Sequence, residues 1–331
     1  MSQTSNFPSK PSSKKKAVPP PLPTIALADS IEERLWFGDD DPQRSAEIAS
    51  ATMAAHMALI TGLKPFPVVA QKVAALASRP ETTPKDLRVL IERDPALGAQ
   101  LLRVANSAFY RRGPTCSSIE DAVVRLGFGE VARLVAGFAT MAMFKDEKGA
   151  GLRFRDHSVR VAAIVKVLAD SFDERLAPTA YLCGLLHDIG KLMSLQVNEI
   201  PYHTYAPHIL ETPDVVHIQE RKDSGYDHAV LGAHILKKWN LPQNVVDAVA
   251  YHHQAGRAFD IGGEVASLVA LIRTADRIEY LHAAGFGPTE DELDRLVRDS
   301  AISYLDFGGA QLEALWPKMI AFADETMAGL R

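Results

Sequence analysis

No segment of this chain alternates apolar and polar residues with the two-residue period of a half-buried strand; its apolar residues return at helical spacing between Pro, Gly and capping residues. The core must therefore be built from helices. Thr83-Pro84-Lys85-Asp86 sets a capping Thr before a Pro in the first turn. Asp94-Pro95 repeats the device, and Ser117-Ser118-Ile119-Glu120 opens a short helix ending near Gly127. The spacing predicts helices over 46–61, 68–76, 84–91, 96–110, 118–127 and 131–144, then over 154–171, 179–192, 215–222, 228–239, 243–252, 264–282, 290–300 and 311–328. Pro, Gly or Asp clusters separate most of these, and no internal repeat is present. The expected fold class is all-α, a globular multi-helix fold and not a coiled coil.

The first residues are of another kind. They carry Lys10, Lys14, Lys15 and Lys16 and then Val18-Pro19-Pro20-Pro21-Leu22-Pro23, and prolines at that density cannot form the apolar helix of a secretory leader. Residues 1–26 are expected to be a disordered tail. Lys145-Asp146-Glu147-Lys148-Gly149 reads as a solvated connector, which divides the rest into an N-terminal helical lobe over 27–150 and a second lobe over 151–282. Closing helices over 283–331 are expected to pack back on the core. The longest apolar run, Leu134 to Phe144, falls far below the roughly 20 residues of a membrane span, so no span is expected.

Charge and cysteine content narrow the function classes. Lys and Arg number 36 against 41 Asp and Glu, a formal net charge of −5, which leaves no broad electrostatic footprint for nucleic acid. Cys116 and Cys183 are the two cysteines, too few for a disulfide framework, a thiolate zinc site or an iron–sulfur cluster. A reducing, cytoplasmic setting is the expectation.

Chemistry-bearing residues gather in the second half. In Leu185-Leu186-His187-Asp188-Ile189-Gly190-Lys191 the adjacent His and Asp would project about 100° apart on a helix, near enough to reach one cation. His157, His228, the pair His252-His253 and Asp276 fall on other helices of the same half. Several imidazoles with two carboxylates and no thiolate suit Fe, Mn, Co or Zn in an open coordination sphere. Lys191, four residues after His187, shares its face and is a candidate for a phosphate oxygen, so Asp188 and Lys191 are the candidate catalytic groups. Each residue taken alone has a plainer reading. Asp188 can cap a helix, His157 and His228 can be satisfied core histidines, and His252-His253 can complement a helix C-terminus. Asp276 can belong to a charge cluster with Arg273 and Arg277, and Lys191 can be solvated. Of His252 and His253, one is expected as a ligand and one as its support. His203, His208, His217 and His234 stand outside the constellation.

The order of these residues resembles the HD-domain metal-dependent phosphohydrolases, in which a His is followed by a His-Asp pair and a distal Asp. His157-Ser158-Val159-Arg160-Val161-Ala162 and His187-Asp188-Ile189-Gly190-Lys191 look like the matching stretches of HD-GYP cyclic dinucleotide phosphodiesterases. That resemblance implies one metal on His157, His187, Asp188 and Asp276, and a second held with His228 and one or both of His252 and His253. The chain departs from it at Gln254-Ala255-Gly256-Arg257-Ala258-Phe259, where no Gly-Tyr-Pro element stands.

A resemblance to the HDOD family covers more, roughly residues 58 to 260. Phe66-Pro67-Val68-Val69, Asp94-Pro95-Ala96-Leu97 and Leu101-Leu102-Arg103-Val104-Ala105-Asn106-Ser107 carry it in the first half. Ser118-Ile119-Glu120-Asp121-Ala122-Val123, Gly225-Tyr226-Asp227-His228 and Trp239-Asn240-Leu241-Pro242 continue it. It implies two packed helical lobes and a bacterial regulatory role exerted through a protein partner, here with a retained metal-ligand set. The alternative is a metal-dependent phosphohydrolase acting on a nucleotide or cyclic dinucleotide. A third reading is an interaction module that the metal merely stabilises.

Overall fold

The computed structural model describes residues 67–77, 79–107, 110, 113–143, 149–197, 202 and 213–330. The expected tail, the helix over 46–61 and residues 145–148 of the connector lie outside them. Among the described residues there is no strand, and the all-α expectation holds.

Five helices make the first part: α1 (Val68–Ala77), α2 (Pro84–Ile91), α3 (Pro95–Ala105), α4 (Ile119–Leu126) and α5 (Phe128–Met143). The starts of α2, α3 and α4 are fixed by the caps read from sequence. Asp86 accepts from the Thr83 amide at 2.9 Å, Asp94 from the amides of Ala96 and Leu97, and Ser118 from that of Asp121. Gly127, at φ +80°, ends α4 in a conformation that other residues rarely adopt. The loop before α4 is held by Asn106, whose amide donates to the Cys116 carbonyl and whose oxygen accepts from the Cys116 amide. The hydroxyl of the next residue, Ser107, is buried without a hydrogen-bond partner.

The long helix α6 (Ala150–Phe172) leads through a 3-10 turn into α7 (Ala177–Leu186), and α8 (Ile189–Val197) follows. Then come α9 (Pro213–Ser224), α10 (His228–Lys238), α11 (Gln243–Tyr251), α12 (Ala255–Ile261) and a second long helix, α13 (Gly263–Ala283). From Ala266 to Asp276 every residue of α13 is buried, as suits a helix packed on all sides. The helices α14 (Glu290–Leu296), α15 (Ser300–Tyr304) and α16 (Gly309–Leu330) close the chain, α16 lying along α6 and also touching α3. One core of buried apolar residues runs from Ala70 to Ala323.

Two close approaches shape the neighbourhood of the His-rich residues. A Cβ on Gly184 would stand 3.0 Å from the Ala162 Cα, so α6 and α7 cross at small residues. A Cβ on Gly190 would overlap the backbone carbonyl of His228, so the first turn of α8 presses directly on the start of α10.

Three expectations need correction. The helix over 179–192 is two helices, broken at His187-Asp188, so that pair lies in a turn and not within one helix. The helix over 290–300 also divides, because the Asp299 carboxylate accepts from the Ala301 amide and starts α15. Helix α12 was not anticipated, and it occupies the place where the phosphodiesterase element would stand.

Candidate metal centre

Six segments deliver the side chains. His157 lies in the middle of α6, His187 and Asp188 in the turn between α7 and α8, and Lys191 in the first turn of α8. His228 is the first residue of α10, His252 and His253 follow α11, and Asp276 sits on α13. Asp227 fixes the start of α10 by accepting from the Val230 amide, which aims His228 into the cluster.

All seven residues expected as ligands come together. The potential ligand atoms of His157, His187 and Asp276 lie within 4.8 Å of one another; the same holds for His187, Asp188 and His252, and for His228, His252 and His253. These groups overlap at His187 and His252, so they form one continuous cluster.

The hydrogen bonds around the rings decide which nitrogen faces inward. Nδ1 of His187 donates to the Gly184 carbonyl at 2.8 Å, and Nδ1 of His252 to the Val249 carbonyl at 2.7 Å. The Nε2 atoms of both rings therefore carry lone pairs. Nδ1 of His157 meets Glu279 Oε2 at 2.8 Å and Nδ1 of His228 meets Glu220 Oε2 at 2.6 Å, so both are held by carboxylates. Their Nε2 atoms stand 3.1 Å from Asp276 Oδ1 and 3.1 Å from Asp188 Oδ1, respectively. Nε2 of His253 faces Nε2 of His228 at 2.9 Å.

Asp188 is the centre of this arrangement. Its Oδ2 accepts from Lys191 Nζ at 2.8 Å, whereas its Oδ1 is buried without a well-directed hydrogen-bond donor. A buried carboxylate oxygen faced by the Nε2 lone pairs of His187 and His252, 3.5 and 4.0 Å away, is costly unless a cation joins them, and the donor set is nitrogen and carboxylate oxygen throughout. The residues present fit a divalent metal by this test. His187, Asp188, His228, His252 and His253 are at most 4% exposed, while the side chains of His157 and Asp276 are 22% and 12% exposed and form the open edge.

The charges are strongly coupled. Burial pushes the Asp188 carboxyl up, but His187, Lys191 and His228 together hold it well below the ordinary range. Burial would also lower His157 and His228, yet the carboxylates of Glu279 and Asp276 raise the first to about 10, and Glu220 and Asp188 raise the second to about 9. His252 and His253, buried beside other imidazoles, fall well below the usual value, and burial lowers His187 too. Burial works against ionisation of Asp276, but His157 brings it down to about 2. Lys191 is raised despite its burial, because Asp188 and Glu220 stabilise its charge.

Sequence reasoning did not single out Glu279, Glu220 or His217. Glu279 lies three residues after Asp276, hence on the same helical face, which was a readable signal. Glu220 is eight residues before His228, with no helical relation to it, and receives the Tyr202 hydroxyl at 2.7 Å. His217, set aside from sequence, stacks on His253 with ring centroids 4.3 Å apart. His234 bonds its own helix at the Val230 carbonyl and takes no part. His203 and His208 lie outside the described residues.

The HDOD domain family matches residues 63–255, more than half of the chain. The chain belongs to the HDOD family. An HDOD domain protein of unknown function from Geobacter sulfurreducens has a similar fold, with a TM-score of 0.64 at 21% identity over 84% of this chain and 98% of that one. A candidate phosphohydrolase of Shewanella amazonensis SB2B gives a TM-score of 0.67 at 24% identity, covering 84% and 98%. A candidate signal transduction protein of Marinobacter aquaeolei VT8 gives 0.66 at 22%, covering 90% and 68%. At these identities the likeness is one of fold. An uncharacterised protein of Treponema pallidum (strain Nichols) is 25% identical over 228 residues, 65% of this chain but 43% of its own length. This HDOD chain thus spans less than half of that relative.

Proposed function

We propose that this HDOD protein is a metal-loaded regulatory module of bacterial signalling. In this reading His157, His187, Asp188 and Asp276 hold one divalent cation. His228, with one or both of His252 and His253, would hold a second. The observation that carries the proposal is the convergence of the Nε2 atoms of His187, His228 and His252 on Asp188 Oδ1, a buried oxygen that makes no well-directed hydrogen bond. A cation bound there would supply Lewis acidity and lower the pKa of water. The chain's own residues do the rest. Glu279 and Glu220 fix the rings of His157 and His228, the Gly184 and Val249 carbonyls fix those of His187 and His252, and Lys191 neutralises the charge on Asp188 Oδ2.

The burial of five of the seven residues supports regulation over turnover, since a large substrate can approach only the edge formed by His157 and Asp276. A signal reaches a protein partner if metal or ligand favours one packing of the lobes, 27–150 and 151–282, over another. The cytoplasm, where signalling partners and reduced Cys116 and Cys183 are at home, is the proposed location. Elemental analysis of natively purified protein, followed by partner capture with wild type and His187→Ala, tests this. Stoichiometric Fe, Mn, Co or Zn and a partner lost in the variant are expected; metal-free protein with unchanged capture would sink the proposal.

The second reading is a phosphohydrolase acting on a nucleotide or cyclic dinucleotide. It is supported by the open edge at His157 and Asp276 and by Lys191, a buried cation beside Asp188 that could offset charge on a phosphate oxygen. Turnover of cyclic dinucleotides, nucleotides and generic phosphodiesters by metal-loaded protein, with His187→Ala and Asp188→Ala as controls, decides it. Equal trace activity in all three proteins would eliminate catalysis.

A further inference from the structure

His187 and His252 are each oriented by a carbonyl of the helix that precedes them, so their positions depend on local backbone. The support of His157 leads elsewhere. Glu279 Oε2 takes the Nδ1 proton of His157 at 2.8 Å, while Glu279 Oε1 lies 3.5 Å from Nε of Arg160. The guanidinium of Arg160 then reaches α16, donating to Asp324 Oδ1 at 2.6 Å. A carboxylate hydrogen-bonded to an imidazole at one oxygen and paired electrostatically with a guanidinium at the other is drawn towards one orientation, which biases the direction of the imidazole Nε2. The path runs outward from the buried Glu279 through the half-buried Arg160 to Asp324, whose side chain is 61% exposed on the closing helix.

We infer that Glu279 and Arg160 form an arm through which α16 sets the orientation of His157, and so the affinity of the open half of the centre for its cation. The inference rests on the metal-binding reading above and adds a positioning role for residues that touch no cation. Its energetics are graded. The Glu279 end is buried beside a ligand, where such partners are worth about 10- to 100-fold in metal affinity. The Asp324 end is exposed and screened, where a pair of this kind is worth about two- to fivefold. Seating of α16 does not depend on the ion pair, because Met327 packs into a buried cluster with Val159 and Ala162 of α6 and Tyr181 and Leu185 of α7. Asp324→Asn therefore removes the outer charge while leaving the helix in place.

The test is titration of the metal-free full-length chain with cobalt(II) against a competing chelator, read by visible absorption. It compares wild type, Asp324→Asn, Glu279→Gln and the double variant, with thermal melts in chelator as a folding control. Glu279→Gln is expected to weaken binding about 10- to 100-fold and to alter the ligand-field bands. Asp324→Asn should weaken binding about two- to fivefold at low salt, lose that effect at high salt, and have no further effect in the Glu279→Gln background. Should Glu279→Gln fail to fold, Arg160→Gln takes its place in the cycle. An Asp324→Asn effect that is absent, or equal in both backgrounds, overturns the arm while leaving the metal centre intact. Equal cobalt(II) affinity in wild type and His187→Ala would instead remove the metal-binding reading on which the arm depends.

Discussion

Gly190 and His228 touch backbone to backbone: no side-chain carbon fits on Gly190, because it would overlap the His228 carbonyl. The contact brings the turn carrying Asp188 against the N-terminus of α10. It places Asp188 Oδ1 3.1 Å from Nε2 of His228.

Gly190→Ala must drive the two helices apart. The expected cost is about 3 kcal/mol, the upper end for overpacking, with a loss of bound metal larger than the loss of fold explains. Denaturant unfolding paired with metal content per folded molecule checks this; a variant of wild-type stability and full metal content would refute it.

The two histidines held by carboxylates dictate how affinity changes with pH. His157 and His228, raised to about 10 and about 9, are protonated in the metal-free protein at neutral pH, and a cation must displace those protons. Metal affinity should therefore climb as pH rises from 7 towards 9 and level off above 10. Competition titrations across that window measure it, and a flat profile would contradict it.

The same shifts act on the metal-free fold with the opposite sign. A histidine whose folded pKa lies above its unfolded value contributes stability that is complete below about 6.5 and is lost as pH passes through about 9 to 10. Chelated protein should melt at a lower temperature at pH 10 than at pH 6.5. On the acid side Asp276, lowered to about 2, contributes stability that is lost as pH falls from near 4 to 2.

Metal removal should lower the melting temperature of wild type, since a ligand that binds only the folded state stabilises it by mass action. His187→Ala should show a smaller difference between chelated and metal-supplemented samples. Differential scanning calorimetry with and without chelator gives both numbers, and an identical gap in the two proteins would tell against the assignment of His187 as a ligand.

Asn106 offers a contrast far from the histidines. Asn106→Ala strips partners from both the amide and the carbonyl of Cys116 and from Arg125, at an expected cost of about 1–3 kcal/mol. Metal content should not change, and a variant depleted of metal would show that the first half supports the centre more directly than its hydrogen bonds indicate.

Much of the fold could be read from caps and spacing, because Thr83, Asp94 and Ser118 act locally and start α2, α3 and α4 where the sequence places them. The break at His187-Asp188 could not. Leu185, Leu186, Ile189 and Leu192 keep helical spacing straight through it, and no Pro or Gly stands from Leu185 to Ile189, so the apolar pattern hides the turn. In the same way Asp299 starts a new helix inside a segment whose apolar spacing runs on. The gathering of His157, His187, Asp188, His228, His252, His253 and Asp276 was legible as a motif. The carboxylates that orient two of them were not, since Glu220 meets His228 and Glu279 meets His157 only through tertiary packing, the second pair across 122 residues of chain.

A single interior passes from Ala70 on α1 to Ala323 on α16. No cut near Ala150 can yield two halves that are each content in water: either fragment would present an oily face to solvent and cling to its counterpart. The unit that can be transplanted into another polypeptide is thus the whole span from α1 to α16, closing helix included.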